Sequence, residues 1–240
     1  FDREDLNVYL KINPYLKSIS GHSVKPFSNL KDFFDIKYIT VLRNPTDRYI
    51  SQYFYLKKIN KLTCNFEDFL KIKKFENFQC KKICGKDSAQ DAAKILENNF
   101  FYVGILENGD NFGVGLSQKI SNCRFSFDTY YKPQNINRNF LIKNNKRLLI
   151  EKYDDAIYNN NSKDYQVYRY VKNELILKLE NALNIDIISA TKKFKAENHN
   201  FRKNYKRYLD YFYRKVYLDP LTGYIRMTKG LPFLGSYTFS

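Results

Sequence analysis

The segment Ile36-Lys37-Tyr38-Ile39-Thr40-Val41-Leu42 decides the fold, because its β-branched and aromatic residues are typical of a strand. It ends at the turn-forming sequence Arg43-Asn44-Pro45. Helical spacing follows at once, with Asn44 suited to the N-cap and Pro45 to the first helical position. The sequence therefore predicts one unit made of a strand, a tight turn and a helix that continues to Leu56.

A second strand is predicted further along the chain. Residues 92–98 have helical character and lead into Phe100-Phe101-Tyr102-Val103-Gly104-Ile105, an almost wholly apolar run typical of a strand buried on both faces. Strands of that kind belong to parallel sheets. Further helices are predicted over residues 112–120, 148–158, 162–183 and 189–217, and residues 219–223 read as a break.

These elements predict one α/β domain over residues 1–240, with a parallel sheet flanked by helices and a helical C-terminal part. No linker rich in Gly, Ser or Pro divides the sequence, and no internal repeat is found. With 43% hydrophobic and 28% charged residues, disordered, collagen-like and coiled-coil classes fit poorly. No run of about 18 apolar residues, the length that spans a membrane, is present.

The chain is strongly basic, with 41 Lys and Arg against 25 Asp and Glu and a net charge of +16. Such a surface attracts polyanions and phosphate or sulfate groups, so nucleic acid, acidic glycans and nucleotides are candidate partners. A biased codon pool explains the charge equally well, because Lys, Asn, Ile, Tyr and Phe are abundant throughout the sequence.

The cysteines do not indicate a metal site. Cys64, Cys80, Cys84 and Cys123 contain no C-x-x-C pair, and the chain has only 2 His. The spacing of Cys80 and Cys84 is compatible with a bridge or half of a metal site, but two ordinary thiols explain it better. We therefore predict no metal, and the redox compartment stays open.

The junction after the first strand is a candidate anion site. Backbone N–H groups and the helix dipole point at it, and ligands of open α/β sheets bind at the carboxyl ends of strands. Arg43 leaves such an end, and Ser51 lies three residues after Arg48 on one helix face. A guanidinium and a hydroxyl could thus meet one phosphate. The alternative is that Arg43 simply pairs with Asp47 or with Asp35.

A family resemblance rests on Leu42-Arg43-Asn44-Pro45-x-x-Arg48-x-x-Ser51-x-Tyr53. This pattern resembles the 3′-phosphate-binding motif of sulfotransferases that use 3′-phosphoadenosine 5′-phosphosulfate (PAPS). It is most similar to carbohydrate sulfotransferases of the heparan sulfate and uronyl 2-O-sulfotransferase type. The resemblance implies a P-loop NTPase-like sheet and PAPS as the nucleotide co-substrate. Arg43 and Ser51 would hold the 3′-phosphate, with Arg48 in support, and Asn44 replaces the usual Asp while keeping an N-cap.

Two other segments extend the resemblance over roughly residues 15–180. Gly21-His22 resembles the segment that supplies the catalytic base, which implies that His22 takes the proton of the acceptor hydroxyl. The alternative is an ordinary surface histidine after a glycine turn. Downstream, Val103-Gly104-Ile105-Leu106-Glu107 resembles a family turn, and Lys132 to Arg138 resembles a nucleotide-flanking loop, which places Asn137 and Arg138 near the cofactor.

The family's loop for the 5′-phosphosulfate is not found. Gly85-Lys86-Asp87-Ser88 comes nearest, but Cys80 stands where the first glycine of such a loop belongs, and the segment precedes no suitable strand-to-helix junction. In the family this loop lies on the first strand, before the Gly-His segment. We therefore expect a domain that is incomplete at its N-terminus, and a degenerate relative without catalysis is the alternative.

The sequence thus predicts an enzyme, a PAPS-dependent O-sulfotransferase with a carbohydrate or other hydroxyl acceptor, of which an anionic glycan is one case. A basic nucleic-acid-binding protein is the alternative from another class, since 17% of the residues are aromatic and could stack on bases. No known nucleic-acid-binding module is found, however. A kinase of the P-loop superfamily is disfavoured by the Arg43 motif. Oligomeric state stays open, as does compartment: a eukaryotic protein would lie in the Golgi lumen through an N-terminal anchor, a bacterial one in the cytoplasm.

Overall fold

A computed structural model of the chain describes residues 3–12, 14, 18–19, 24–121, 123, 129–131, 140–204, 211–212 and 214–228. The described chain is mostly helical and contains a small parallel sheet of two strands, β1 (Tyr38–Leu42) and β2 (Phe100–Ile105). Both predicted strands and their parallel pairing are confirmed, as is the α/β character. The described helices include none that is long and apolar enough to cross a bilayer.

The α-helices are numbered in chain order. They are α1 (Arg3–Ile12), α2 (Pro45–Lys58), α3 (Phe66–Phe69), α4 (Phe78–Cys84), α5 (Ala89–Asn99), α6 (Gly109–Ser121), α7 (Phe140–Asn160), α8 (Ser162–Tyr170), α9 (Ile176–Asn181), α10 (Ile187–Asn204) and α11 (Asp219–Thr228). A π-helical turn over Val171–Leu175 joins α8 to α9. Another π-helical turn precedes α11.

The register of the sheet places the carboxyl ends of its strands side by side. Thr40 lies opposite Val103, and Leu42 lies opposite Ile105. Strand β1 begins two residues later than predicted, because the N–H of Ile36 donates to the carbonyl of Phe34 in a turn instead of joining the ladder. The chain therefore leaves both strands at one edge of the sheet, and the candidate site lies there.

Two apolar clusters hold the elements around that edge. The sheet cluster contains Leu42 and Val103 and extends to Leu96 of α5 and Val167 of α8. The aromatic cluster packs α2 against α3 and α7, and its buried members are Tyr49, Ile50, Tyr53, Leu56, Phe66, Phe69 and Ile157. Burial of such side chains is the main favourable term in folding. The strand that leads into α2 is thus held by the sheet cluster, and α2 itself packs against α3 and α7.

Two glycines of α6 make room for rings. A methyl group at Gly113 would overlap the ring of Phe194 in α10, and one at Gly115 would overlap the hydroxyl of Tyr102 in β2. Both glycines are buried. They let α6 approach β2 and α10 closely, which no residue with a side chain would allow.

The predicted helices agree with those of the structure to different degrees. Residues 112–120 and 148–158 lie inside longer helices, and the helix predicted over residues 162–183 is formed by α8, the π-helical turn and α9, up to Asn181. Of the helix predicted over residues 189–217, the described residues lie in α10 up to Asn204, in a helical pair at 211–212 and in the π-helical turn before α11. The break predicted at residues 219–223 is wrong, because α11 begins at Asp219 and includes Gly223. Asp219 and Pro220 are residues that also favour a helix start.

Candidate anion-binding site

Arg43 lies where β1 ends and α2 begins, and its backbone is held by one side chain. The side-chain amide of Gln79 accepts from the N–H of Arg43 and donates to its carbonyl, both at 2.9 Å. The amide thus satisfies both the N–H and the C=O of Arg43, as a neighbouring strand would do in a sheet. Gln79 thereby fixes the position from which the half-buried guanidinium of Arg43 extends.

The first turn of α2 is fixed by two oxygen acceptors. The N–H of Asn44 donates to a carboxylate oxygen of Glu107 at 2.9 Å, and the other oxygen of Glu107 accepts from the hydroxyl of Tyr168 at 3.1 Å. The side chain of Asn44 accepts from the N–H of Asp47 at 3.3 Å, so Asn44 is the N-cap as predicted. Burial, followed by the charge of Glu107, raises the pKa of Tyr168 to about 12, so the hydroxyl stays protonated and donates.

The guanidinium of Arg43 makes no ion pair with any residue in the described part of the chain. The two carboxylates suggested by the sequence take no such role: Asp35 pairs with Lys37 at 2.7 Å, and Asp47 makes no ion pair within the described residues. The side chain of Arg43 is only partly exposed, and no described carboxylate compensates its charge. Arg43 is therefore available to an anion from outside the protein.

Ser51 contacts a third residue, Lys146 of α7, and the charge of Arg43 lies near enough to act on Lys146. The ammonium group of Lys146 donates to the hydroxyl of Ser51 at 3.1 Å. Burial lowers the pKa of Lys146, and the positive charge of Arg43 lowers it further, while Asp47 partly offsets the effect. The ammonium group of Lys146 is thus in contact with the hydroxyl of Ser51, with the charges of Arg43 and Asp47 nearby. This arrangement is complementary to a phosphate or sulfate group.

Arg48 points into the interior instead. Its guanidinium donates to the carbonyl of Phe75 at 3.1 Å and lies 4.8 Å from the centre of the Phe78 ring. Burial lowers its pKa to about 10, and the negative charge of Asp164 opposes that change. Its Nε and Nη1 are buried and have no hydrogen-bond partner among the residues that the structure describes. The structure thus places Arg48 among α4 and the aromatic cluster and shows no contact with Ser51.

A second helix start lies beside the first and is closed by a carboxylate of the protein. Asp164 of α8, only 1% exposed, accepts from the N–H groups of Gln79 and Cys80 at 3.0 and 2.8 Å. In return, the side chain of Asn77 accepts from the N–H groups of Lys163 and Asp164 at 3.0 and 3.3 Å. The starts of α4 and α8 therefore cap each other.

Other sequence-predicted positions lie elsewhere. His22, Asn137 and Arg138 lie outside the described residues, so their predicted roles stay predictions. The segment from Gly85 to Ser88 connects α4 to α5: Gly85 ends one helix with a φ of 76°, and Ser88 caps the next. A turn between two helices is not the strand-to-helix junction of a phosphate-binding loop.

The described residues contain no group of three or more His, Cys, Asp and Glu that could hold a metal ion. An open cavity of about 640 Å³ lies at the opposite, amino ends of the strands, between the segment Lys31–Lys37 and Phe100. Its lysines are already engaged, because Lys31 donates to the carbonyl of Asn99 and Lys37 pairs with Asp35.

Two residues of the site were missed by the sequence analysis. Lys146 is 95 positions from Ser51, and Gln79 is 36 positions from Arg43. Neither lies in a recognisable motif. One available signal was the helical spacing of Lys146 with Leu149 and Ile150, which predicts a lysine on an apolar helix face.

Comparison of the chain with protein-family models, with curated proteins and with solved structures finds no match.

Proposed function

We propose that this protein is a PAPS-dependent O-sulfotransferase that transfers a sulfuryl group to a hydroxyl of a carbohydrate, in a P-loop NTPase-like fold. The observation that carries the proposal is the junction of β1 and α2. There the ammonium of Lys146 donates to the hydroxyl of Ser51, and nearby lies the guanidinium of Arg43, which has no ion-pair partner among the described residues. These groups fit the 3′-phosphate of the nucleotide, which is the role that the sequence motif implies for Arg43 and Ser51.

The fold supports the proposal in a coarser way. Strands β1 and β2 are parallel, and their carboxyl ends meet at the edge where ligands of such sheets bind. Glu107, the last residue of the Val103 to Glu107 turn, accepts from the N–H of Asn44 at 2.9 Å. Two separate segments of the sequence resemblance are thus in direct contact at the proposed nucleotide site.

PAPS, when bound, supplies the sulfuryl group. Arg43 and Ser51 bind and orient its 3′-phosphate, and the proposed base is His22. The acceptor hydroxyl oxygen forms a bond to sulfur while the bond from sulfur to the bridging oxygen of the 5′-phosphate breaks. His22 accepts the hydroxyl proton, and adenosine 3′,5′-bisphosphate leaves. A neutral imidazole, with an ordinary pKa of about 6.5, is suited to accept a proton near neutral pH.

The experiment is the binding of adenosine 3′,5′-bisphosphate to the Arg43→Ala variant, measured by isothermal titration calorimetry. Loss of a charge-assisted contact is expected to weaken binding by about 2 to 4 kcal/mol, roughly 30- to 1,000-fold. The melting temperature should change little, because the Arg43 side chain has no described ion-pair partner. Undiminished affinity in Arg43→Ala, or no binding by the wild-type chain, would contradict the proposal.

The matched control is Arg147→Ala. Arg147 lies next to Lys146 in sequence, but its side chain is 71% exposed and pairs with Glu151 at 3.4 Å on the same helix. Its removal subtracts the same charge from the protein. Nucleotide affinity close to that of the wild type in this variant would separate a specific contact from a general effect of net charge.

A further inference from the structure

Lys146 is the residue of the site that no sequence motif identifies. It is half-buried, and its ammonium group donates to the hydroxyl of Ser51 at 3.1 Å. Among the described residues it has no carboxylate within ion-pair distance, and it lies near the positive charge of Arg43, which acts on it more strongly than the negative charge of Asp47 does. Two neighbouring cations that are both partly withdrawn from water repel each other. An anion that binds to both would relieve this repulsion.

The position of Lys146 follows from the packing of α7. Leu149 and Ile150, three and four residues further on, pack into the aromatic cluster against α2. Residues with that spacing share a helix face, so Lys146 faces α2. Another lysine of the same helix is placed differently: Lys152 is mostly exposed and pairs with Glu67 at 3.3 Å.

The hydrogen-bonding capacity of the group also fits a phosphate. An ammonium group has three donors, and the bond to Ser51 uses one of them. Because the Ser51 oxygen accepts that bond, its own hydrogen is free to be donated to a ligand. The guanidinium of Arg43 adds further donors with a planar geometry that suits phosphate oxygens.

We propose that Lys146 is a third ligand of the nucleotide 3′-phosphate, an inference that rests on the proposed function. Lys146 thereby makes the site selective for a dianionic phosphomonoester over a monoanionic phosphodiester. A terminal phosphomonoester carries close to two negative charges at neutral pH, whereas each phosphate of a nucleic-acid backbone carries one. The two cations balance the charge of a phosphomonoester, but they leave an excess positive charge beside a phosphodiester.

The test compares the affinities of adenosine 3′,5′-bisphosphate and adenosine 5′-phosphate, which differ only in the 3′-phosphate. The ratio of their dissociation constants measures how strongly the 3′-phosphate is bound. Loss of one charge-assisted contact in Lys146→Gln is expected to reduce that ratio by about 10- to 100-fold. Lys146→Arg should retain most of the ratio, because it keeps the charge. Lys152→Gln is the matched control and should leave the ratio unchanged.

The failures of the two proposals are distinguishable. A wild-type ratio near one would mean that the 3′-phosphate is not recognised, and the proposed function would fail. A large wild-type ratio that Arg43→Ala reduces and Lys146→Gln does not would overturn the role of Lys146 alone. Selectivity is tested with an oligoadenylate without terminal phosphates, expected to compete at least about tenfold more weakly per phosphate than the bisphosphate. Equal competition would overturn it.

Discussion

Two helix starts lie side by side in this protein, and they satisfy their positive ends in different ways. The start of α4 is closed by the buried carboxylate of Asp164, which accepts from two backbone N–H groups. At the start of α2, the N-cap is the neutral Asn44, and the nearby Arg43 has no described ion-pair partner. One helix start has a fixed anion that belongs to the fold. The other has a neutral N-cap whose N–H donates to Glu107, and the cations beside it, Arg43 and Lys146, have no carboxylate within ion-pair distance among the described residues.

The difference between the two helix starts indicates which substitutions should affect stability and which should affect ligand binding. Groups that face Asp164 are internal and compensated, so changes there should cost free energy of unfolding. Groups around Arg43 are partly exposed and uncompensated, so changes there should cost ligand affinity with little cost in stability. Gln79 belongs to both regions, because its N–H donates to Asp164 and its side chain pairs with the backbone of Arg43.

The largest effect on stability is expected for Asp164→Ala. This change leaves the N–H groups of Gln79 and Cys80 without their acceptor and removes the negative charge that opposes the buried charge of Arg48. Loss of one partner from a buried set of charges costs about 3 to 5 kcal/mol in free energy of unfolding. Urea denaturation followed by circular dichroism measures it. A loss below about 1 kcal/mol, which is what an ordinary helix cap contributes, would contradict the difference inferred between the two helix starts.

The variant Asp164→Asn adds a test by pH. Burial is the main cause that raises the pKa of Asp164 above its ordinary value of 3.8. The folded protein therefore binds this proton more tightly than the unfolded chain does. The stability supplied by the group is complete below pH 3.8 and is lost as the pH rises through the raised pKa. The advantage of the wild type over Asp164→Asn should thus be larger at pH 4 than at pH 7.

A smaller, mixed effect is expected for Gln79→Ala. The side-chain amide makes two hydrogen bonds to the backbone of Arg43, so its loss should cost about 1 to 3 kcal/mol in stability. Affinity for adenosine 3′,5′-bisphosphate should also fall, because Arg43 loses the support that positions it. Calorimetry and urea denaturation of one preparation measure both quantities. A change in stability with no change in affinity would show that Gln79 does not position Arg43.

The smallest effect is expected for Tyr168→Phe. The change removes the hydroxyl that donates to Glu107 at 3.1 Å and keeps the ring in the sheet cluster. A single hydrogen bond contributes about 0.5 to 1.5 kcal/mol, and Glu107 still accepts from the N–H of Asn44. Thermal unfolding should show a decrease of a few degrees at most. A larger loss would mean that Glu107 depends on Tyr168 to hold the start of α2.

Local pattern explains which features could be predicted. The runs that became β1 and β2 are dense in β-branched and aromatic residues, and Asn44-Pro45 is a strong helix start, so both strands and the junction were evident. The segment from Phe66 to Cys84 was not predicted, because α3 and α4 are short and have little periodicity. Their positions depend on packing against α2 and α8.

The same distinction applies to the site. The positions of Arg43 and Ser51 on one junction follow from a spacing of eight residues within one unit. Lys146 and Gln79 reach that junction only through the packing of α7 and α4, which no local pattern encodes. The inward direction of Arg48 has the same origin, because the carbonyl of Phe75 and the ring of Phe78 come from a different part of the chain.

The two glycines of α6 have a consequence for how the sequence can vary. The ring of Phe194 and the hydroxyl of Tyr102 occupy the volumes that methyl groups at Gly113 and Gly115 would fill. Each glycine and the aromatic residue opposite it therefore fill one volume together. A larger residue in place of the glycine alone should create an overlap, and a smaller residue in place of the aromatic one alone should leave a void. Both changes together should restore the volume. Such pairs are expected to change together when this fold diverges.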